Sequence, residues 1–80
     1  MNWINVNEQL PKHMKPCVFQ LNNGNFAISK CRYYEHGDSE LIEVYGKGLS
    51  SGIHTYRNWE LHNFDRTEMC TIIKWAYLEN

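Results

Sequence analysis

His13, Cys17, Cys31, His36, His54, His62 and Cys70 are the side chains of this chain best suited to hold a metal or act as nucleophiles. Structural zinc draws on ligand pairs about two to five residues apart. Only His13 with Cys17 comes near that spacing, and Lys15 and Pro16 between them also shape the entry to a strand. A catalytic thiolate needs a neighbouring histidine and an electropositive setting, and no histidine adjoins Cys31 or Cys70. Glu40 with Glu43, and Glu60 with Asp65, are spaced as ordinary surface carboxylates, and a small sheet offers little depth to raise one pKa. The expectation is no metal, no cofactor, no catalytic residue and no enzyme. The three cysteines are odd in number and lack a Cys-x-x-Cys pair, which suits reduced thiols.

Two other features could bind something. Gly46, Gly48 and Gly52, with Ser50 and Ser51, form a glycine-rich stretch. Its spacing matches neither of the phosphate-cradling patterns, and no apolar helix pattern follows to supply a terminal dipole. A plain loop is expected. The alternative is a small-ligand, nucleotide-like binding protein or minor enzyme that uses this loop with His54, Tyr56 and Arg57. The aromatic content is the second feature, at eleven side chains in eighty residues. Tyr33, Tyr34, Tyr45 and Tyr56 fall at expected strand ends or on expected solvent faces, with Arg32 beside the first two and Arg57 beside Tyr56. One reading has them covering a small core with their polar tips in water. The other makes Tyr45, Tyr56, Arg57, Tyr33, Tyr34 and Arg32 a partner-binding patch, because Tyr, Trp and Arg dominate protein interfaces.

The elements that must position these residues start with the stretch PCVFQLNNGNFAISKCRYY, residues 16–34. Two apolar-alternating runs meet at Asn23 and Gly24, a pair that supplies both positive-φ positions of a type I′ turn. With those two as the loop, Leu21 faces Phe26, Phe19 faces Ile28 and Cys17 faces Lys30. Leu21, Phe26, Phe19 and Ile28 then share a core face, and Cys17 and Cys31 lie on opposite faces. Trp3 to Val6 reads as a short first strand. Residues 35–39 form a polar turn cluster leading to a strand over 41–45. Residues 53–61 alternate as a half-buried strand with Ile53, Trp59 and Leu61 on its apolar face. The last segment is ambiguous: Asp65 to Glu68 resembles a helix cap followed by helical spacing. Thr71, Ile72, Ile73, Trp75 and Tyr77 instead favour a strand covered on both sides. The strand reading is preferred. The fold expected is one small domain, mainly β, a twisted antiparallel sheet or partly open barrel of about five strands. A C-terminal helix packed on the sheet, an α+β fold, is the alternative.

A net charge of −1 with scattered lysines and arginines argues against direct nucleic-acid binding, which needs clustered cations. No 18 apolar residues follow one another, and the opening residues show no signal-like run, so a cytoplasmic protein without membrane contact is expected.

The two ends also carry a pattern. WINVNEQLP at residues 3–11, Cys17-Val18-Phe19 before a glycine turn, and IIKWAYL at residues 72–78 resemble a phage- and prophage-encoded family of short proteins, domain of unknown function 551. Its members open with a Trp-Ile-Ser-Val-x-x-x-Leu-Pro-like segment and close with a Val-Thr-His-Trp-Met-Pro-Leu-Pro-like one. Here Asn5 stands for the serine, Lys74 for the histidine, and Ala76-Tyr77-Leu78 for Met-Pro-Leu; residues 34–64 do not align. The resemblance implies a viral or prophage origin, the bacterial host cytoplasm and a small β fold, and it transfers no functional residue. The function expected from it is a non-catalytic accessory protein that binds a host protein, with inhibition of a bacterial defence component as one form. Self-association into a homo-oligomer stays open.

Overall fold

The computed structural model describes residues 1–46, 54–55, 59–62 and 69–78. The glycine stretch at 47–52, Tyr56, Arg57 and the cap-like residues 65–68 lie outside the described residues. Among the described residues seven strands run in chain order: β1 (Ile4–Asn5), β2 (Pro16–Leu21), β3 (Phe26–Tyr33), β4 (Ser39–Gly46), β5 (His54–Thr55), β6 (Glu60–His62) and β7 (Met69–Tyr77). They pair antiparallel in the order β1-β7-β2-β3-β4-β5, and β6 also pairs with β7. The mainly β expectation holds, with no helix among the described residues. The C-terminal segment is a strand, as its β-branched and aromatic residues indicate.

The sheet is not closed, but its edges approach each other. Thr55 pairs at the β4 edge and Glu60 at the β7 edge, and five residues of chain reach at most about 18 Å. The half-buried strand expected over 53–61 is therefore two short strands serving opposite edges. Between them Trp59 adopts φ +62°, a left-handed conformation that an unbranched extended run would not contain.

The first hairpin is present, but its register differs by one residue from the type I′ expectation. Phe19 pairs with Ala27, Val18 with Ile28 and Cys17 with Ser29. Leu21 and Asn25 close a three-residue loop: the Gly24 amide donates to the Leu21 carbonyl at 3.1 Å and the Leu21 amide to the Asn25 carbonyl at 2.9 Å. This is a type I turn followed by a left-handed residue, Gly24 at φ +88°. The second hairpin repeats the solution, with Tyr34 and Asp38 closing Glu35-His36-Gly37 and Gly37 at φ +98°.

A slip of one residue exchanges the two faces of a strand. The inner face consequently carries Cys17, Phe19, Leu21, Ala27, Cys31, Leu41, Val44, Ile72 and Trp75, all buried in one cluster. Phe26 and Ile28, expected in the core, point outward. Cys17 and Cys31, expected on opposite faces, share the inner one. Irregularities keep β4 and β7 in phase with this core. In β4, Glu43 sits at φ +52° where the register shifts, so that Leu41 and Val44 both face inward. In β7 the shift falls between Ile72 and Lys74, so that Ile72 and Trp75 both face inward.

The segment between β1 and β2 is fastened over this core by aromatic side chains. The Trp75 indole N–H donates to the Gln9 carbonyl at 2.8 Å, and the Tyr33 hydroxyl to the Pro11 carbonyl at 2.6 Å. The Lys12 amide donates to the Tyr77 hydroxyl at 3.1 Å, and Lys15 Nζ stands 3.9 Å from the centre of the Tyr77 ring. Part of the aromatic surplus is thereby spent on ordering a loop that has no strand of its own.

Candidate interaction surface

The outer face is built in rows across the strands. Lys74, Gln20 and Phe26 form one row, and Ala76, Val18, Ile28 and Tyr45 the next. Phe26 is 49% exposed, Ile28 42% and Tyr45 58%, so three large apolar side chains stand in water side by side. The Trp3 ring lies 5.9 Å from that of Phe26 and extends the patch toward the N-terminus. Lys30 and Glu43, an ion pair at 2.8 Å, border it.

At the other end of the β3–β4 ladder is a polar cluster. Glu40 is buried although charged; it accepts from Arg32 Nη1 at 3.4 Å and from the Tyr34 hydroxyl. The Tyr34 hydroxyl, with Glu40, holds the Arg32 guanidinium in its charged form. The Tyr34 ring stacks on His36 at 5.4 Å, and His36 Nε2 lies 2.9 Å from Asp38. With its carboxylate engaged from two sides, the cluster ties the outer face together and offers no open anion or cation site.

The six residues expected to form a partner patch are thus distributed. Tyr45 lies in the exposed patch with Phe26 and Ile28. Arg32 and Tyr34 meet at Glu40. Tyr33 points to the inner face, with its hydroxyl on Pro11, and burial followed by contact with Cys31 pushes that hydroxyl's pKa well up. Tyr56 and Arg57 lie outside the described residues. No protein-family model, curated protein or solved structure matches the chain.

The two ends of the described chain are spatial neighbours: Ile4 pairs with Trp75 and Asn5 with Lys74. Phe26 and Ile28 are the members of the exposed patch that sequence reasoning missed. Their outward placement was readable only with the correct turn.

Cys17 is poorly set up as a nucleophile. Cys17 and Cys31 are buried and unbridged. Burial, then the neighbouring Cys31, pushes the Cys17 thiol up to about 12, away from the thiolate a nucleophile requires. Among the described residues no three His, Cys, Asp or Glu side chains gather into a metal-holding group, and no helix is long and apolar enough to cross a membrane.

Proposed function

We propose that this chain is a non-catalytic, phage- or prophage-encoded accessory protein that binds a host protein through the outer face of its sheet. The observation carrying the reading is the exposed patch of Phe26, Ile28 and Tyr45, which spans two neighbouring rows. Contiguous apolar side chains in water mark interaction sites, and aromatic residues are enriched at the centres of interfaces. A standard interface buries about 800 Å² per partner, several times what three half-exposed side chains present. They form its centre, and Gln20, Lys30, Glu43 and Lys74 its polar rim. The phage setting is supported by the resemblance of the two ends.

The test is capture from bacterial lysate by the tagged chain, compared with Phe26→Ser, Tyr45→Ser and a control, Glu35→Ala, on the exposed second turn. Truncating a central anchor costs about 2 kcal/mol or more, roughly thirtyfold in affinity. The two outer-face variants should melt with the parent and lose a specific captured protein that the control retains. Equal capture by all four chains would remove this face as the interface.

A further inference from the structure

Asn23 is the one asparagine of this chain that glycine follows. A carboxamide in that setting can react with its own backbone. The Gly24 nitrogen attacks Asn23 Cγ, the Cγ–Nδ2 bond breaks, and the Gly24 amide proton leaves with the departing nitrogen as ammonia. Water then opens the five-membered imide at either of its carbonyls. One opening gives aspartate; the other gives isoaspartate, in which the main chain runs through Cβ and Cγ and is one atom longer. A side chain on the following residue would shield the attacking nitrogen, and glycine has none. Asn23 and Gly24 are both exposed, and even a Cβ added at Gly24 would meet nothing within 4 Å, so water reaches the site freely.

The folded turn ties down the groups this reaction needs. The Gly24 N–H donates to the Leu21 carbonyl at 3.1 Å, a bond the nitrogen must give up to attack. Asn23 Oδ1 accepts from the Asn25 amide at 2.9 Å, and Nδ2 donates to Cys70 Sγ at 3.1 Å. Next to it the Asn22 amide donates to the Thr71 carbonyl at 2.9 Å, and Asn22 Oδ1 accepts from the Thr71 amide at 3.2 Å. β7 thus grips the turn at two successive residues, and the contact with Cys70 is made by the leaving nitrogen itself. Hydrogen bonds at both ends of the carboxamide fix its plane, whereas intramolecular attack needs reacting atoms brought into line. We propose that Asn23 is a site of spontaneous deamidation and that Cys70 is the latch that slows it in the folded chain. The products change the fold locally. Aspartate keeps the acceptor for the Asn25 amide but has no donor for Cys70. Isoaspartate adds a backbone atom to a three-residue loop whose length fixes the β2–β3 register, on which the choice of inner and outer face depends. Phe26 follows directly on this loop, so the exposed patch begins where the change occurs.

The reaction needs only water, so it stands or falls apart from the reading of the outer face as an interface. The experiment incubates the full chain in mildly alkaline buffer and follows each asparagine by peptide mapping, with fragmentation that separates aspartate from isoaspartate. Asn23 should convert while Asn22 and Asn25, whose following residues carry side chains, stay amides. The folded parent should react more slowly than the parent in urea. Cys70→Val keeps an apolar side chain in the strand and removes the sulfur. It should speed the folded reaction about two- to fivefold, the lower part of what one hydrogen bond's net strength allows, since sulfur is a weak acceptor. Cys70→Ser, which restores an acceptor, should react as the parent does, and in urea all chains should react alike. Gly37→Ala, a lesion at the second turn, controls for lost stability. If Cys70→Val fails to fold, Cys70→Ala decides. The proposal is overturned if Asn23 converts no faster than Asn22 and Asn25, if folding does not slow it, if the folded chain lacking the sulfur matches the parent, or if Gly37→Ala speeds it as much.

Discussion

Replacing Trp75 by alanine should unfold this domain. Trp75 is fully buried between Phe19 of β2 and Ile4 of β1, with the Tyr77 ring edge-on at 4.8 Å. Truncating a buried aromatic to alanine costs about 3 to 5 kcal/mol. Loss of the indole N–H also strands the Gln9 carbonyl, worth about 1 kcal/mol more. A chain of eighty residues has about 4 to 12 kcal/mol of stability in total, so the loss takes from about a third of it to all of it. In urea, with a slope of about 1 kcal/mol per molar for a domain this small, the midpoint should fall by about 3 M or more. Far-UV circular dichroism is the readout, since Trp3 and Trp59 confuse fluorescence. Trp75→Phe separates the two contributions by keeping most of the packing while leaving Gln9 unpaired. A cooperative Trp75→Ala variant whose midpoint moves by less than about 0.5 M would show that β7 does not anchor the core.

Two further outcomes follow from local geometry. Gly24→Ala and Gly37→Ala should each lose about 1 to 2 kcal/mol in thermal melts, because φ of +88° and +98° is costly for any side chain although an added Cβ would touch nothing within 4 Å. An unchanged melting point for both would contradict the turn assignment. A thiol reagent at pH 8 should modify Cys70, which is partly exposed, well before Cys17 or Cys31. The Cys17 thiol is raised from 9.0 to about 12, so the unfolded chain gives up its proton first as pH rises. Stability is then intact below pH 9 and declines between 9 and 12, a loss that urea titrations at pH 7 and pH 10 should show and that Cys17→Ala should reduce.

Much of the fold was legible because hydrophobic alternation and β-branched residues mark strands wherever they pair. The C-terminal strand followed from Thr71 to Tyr77 in this way, and the hairpin from its glycine turn. The turn type did not follow. Asn22-Asn23-Gly24 permits a two-residue loop with Gly24 second or a three-residue loop with Gly24 third, and β3 has apolar residues on both faces to suit either. Phe26 and Ile28 are larger than Ala27 and Cys31, so size alone selects the wrong inner face. What decides is the neighbour: Phe19 and Trp75 are so bulky that a small residue, Ala27, must stand opposite Phe19. The aromatic fastenings of residues 9–12 were equally illegible, since Gln9 and Trp75 are separated by 66 positions.

The position of β7 has a consequence for the order in which this chain can fold. β2 gains its second neighbour only from residues 51 to 60 positions downstream, and β1 pairs with that same late strand. The β2–β3–β4 meander can form from local pairings, but Phe19, Leu21 and Val6 have no cover until β7 arrives. Loop-closure entropy delays such non-local pairing. During synthesis, then, the meander waits with one long bare edge and half a core, a state open to strand addition from another chain. The final strand both completes the sheet and ends that exposure.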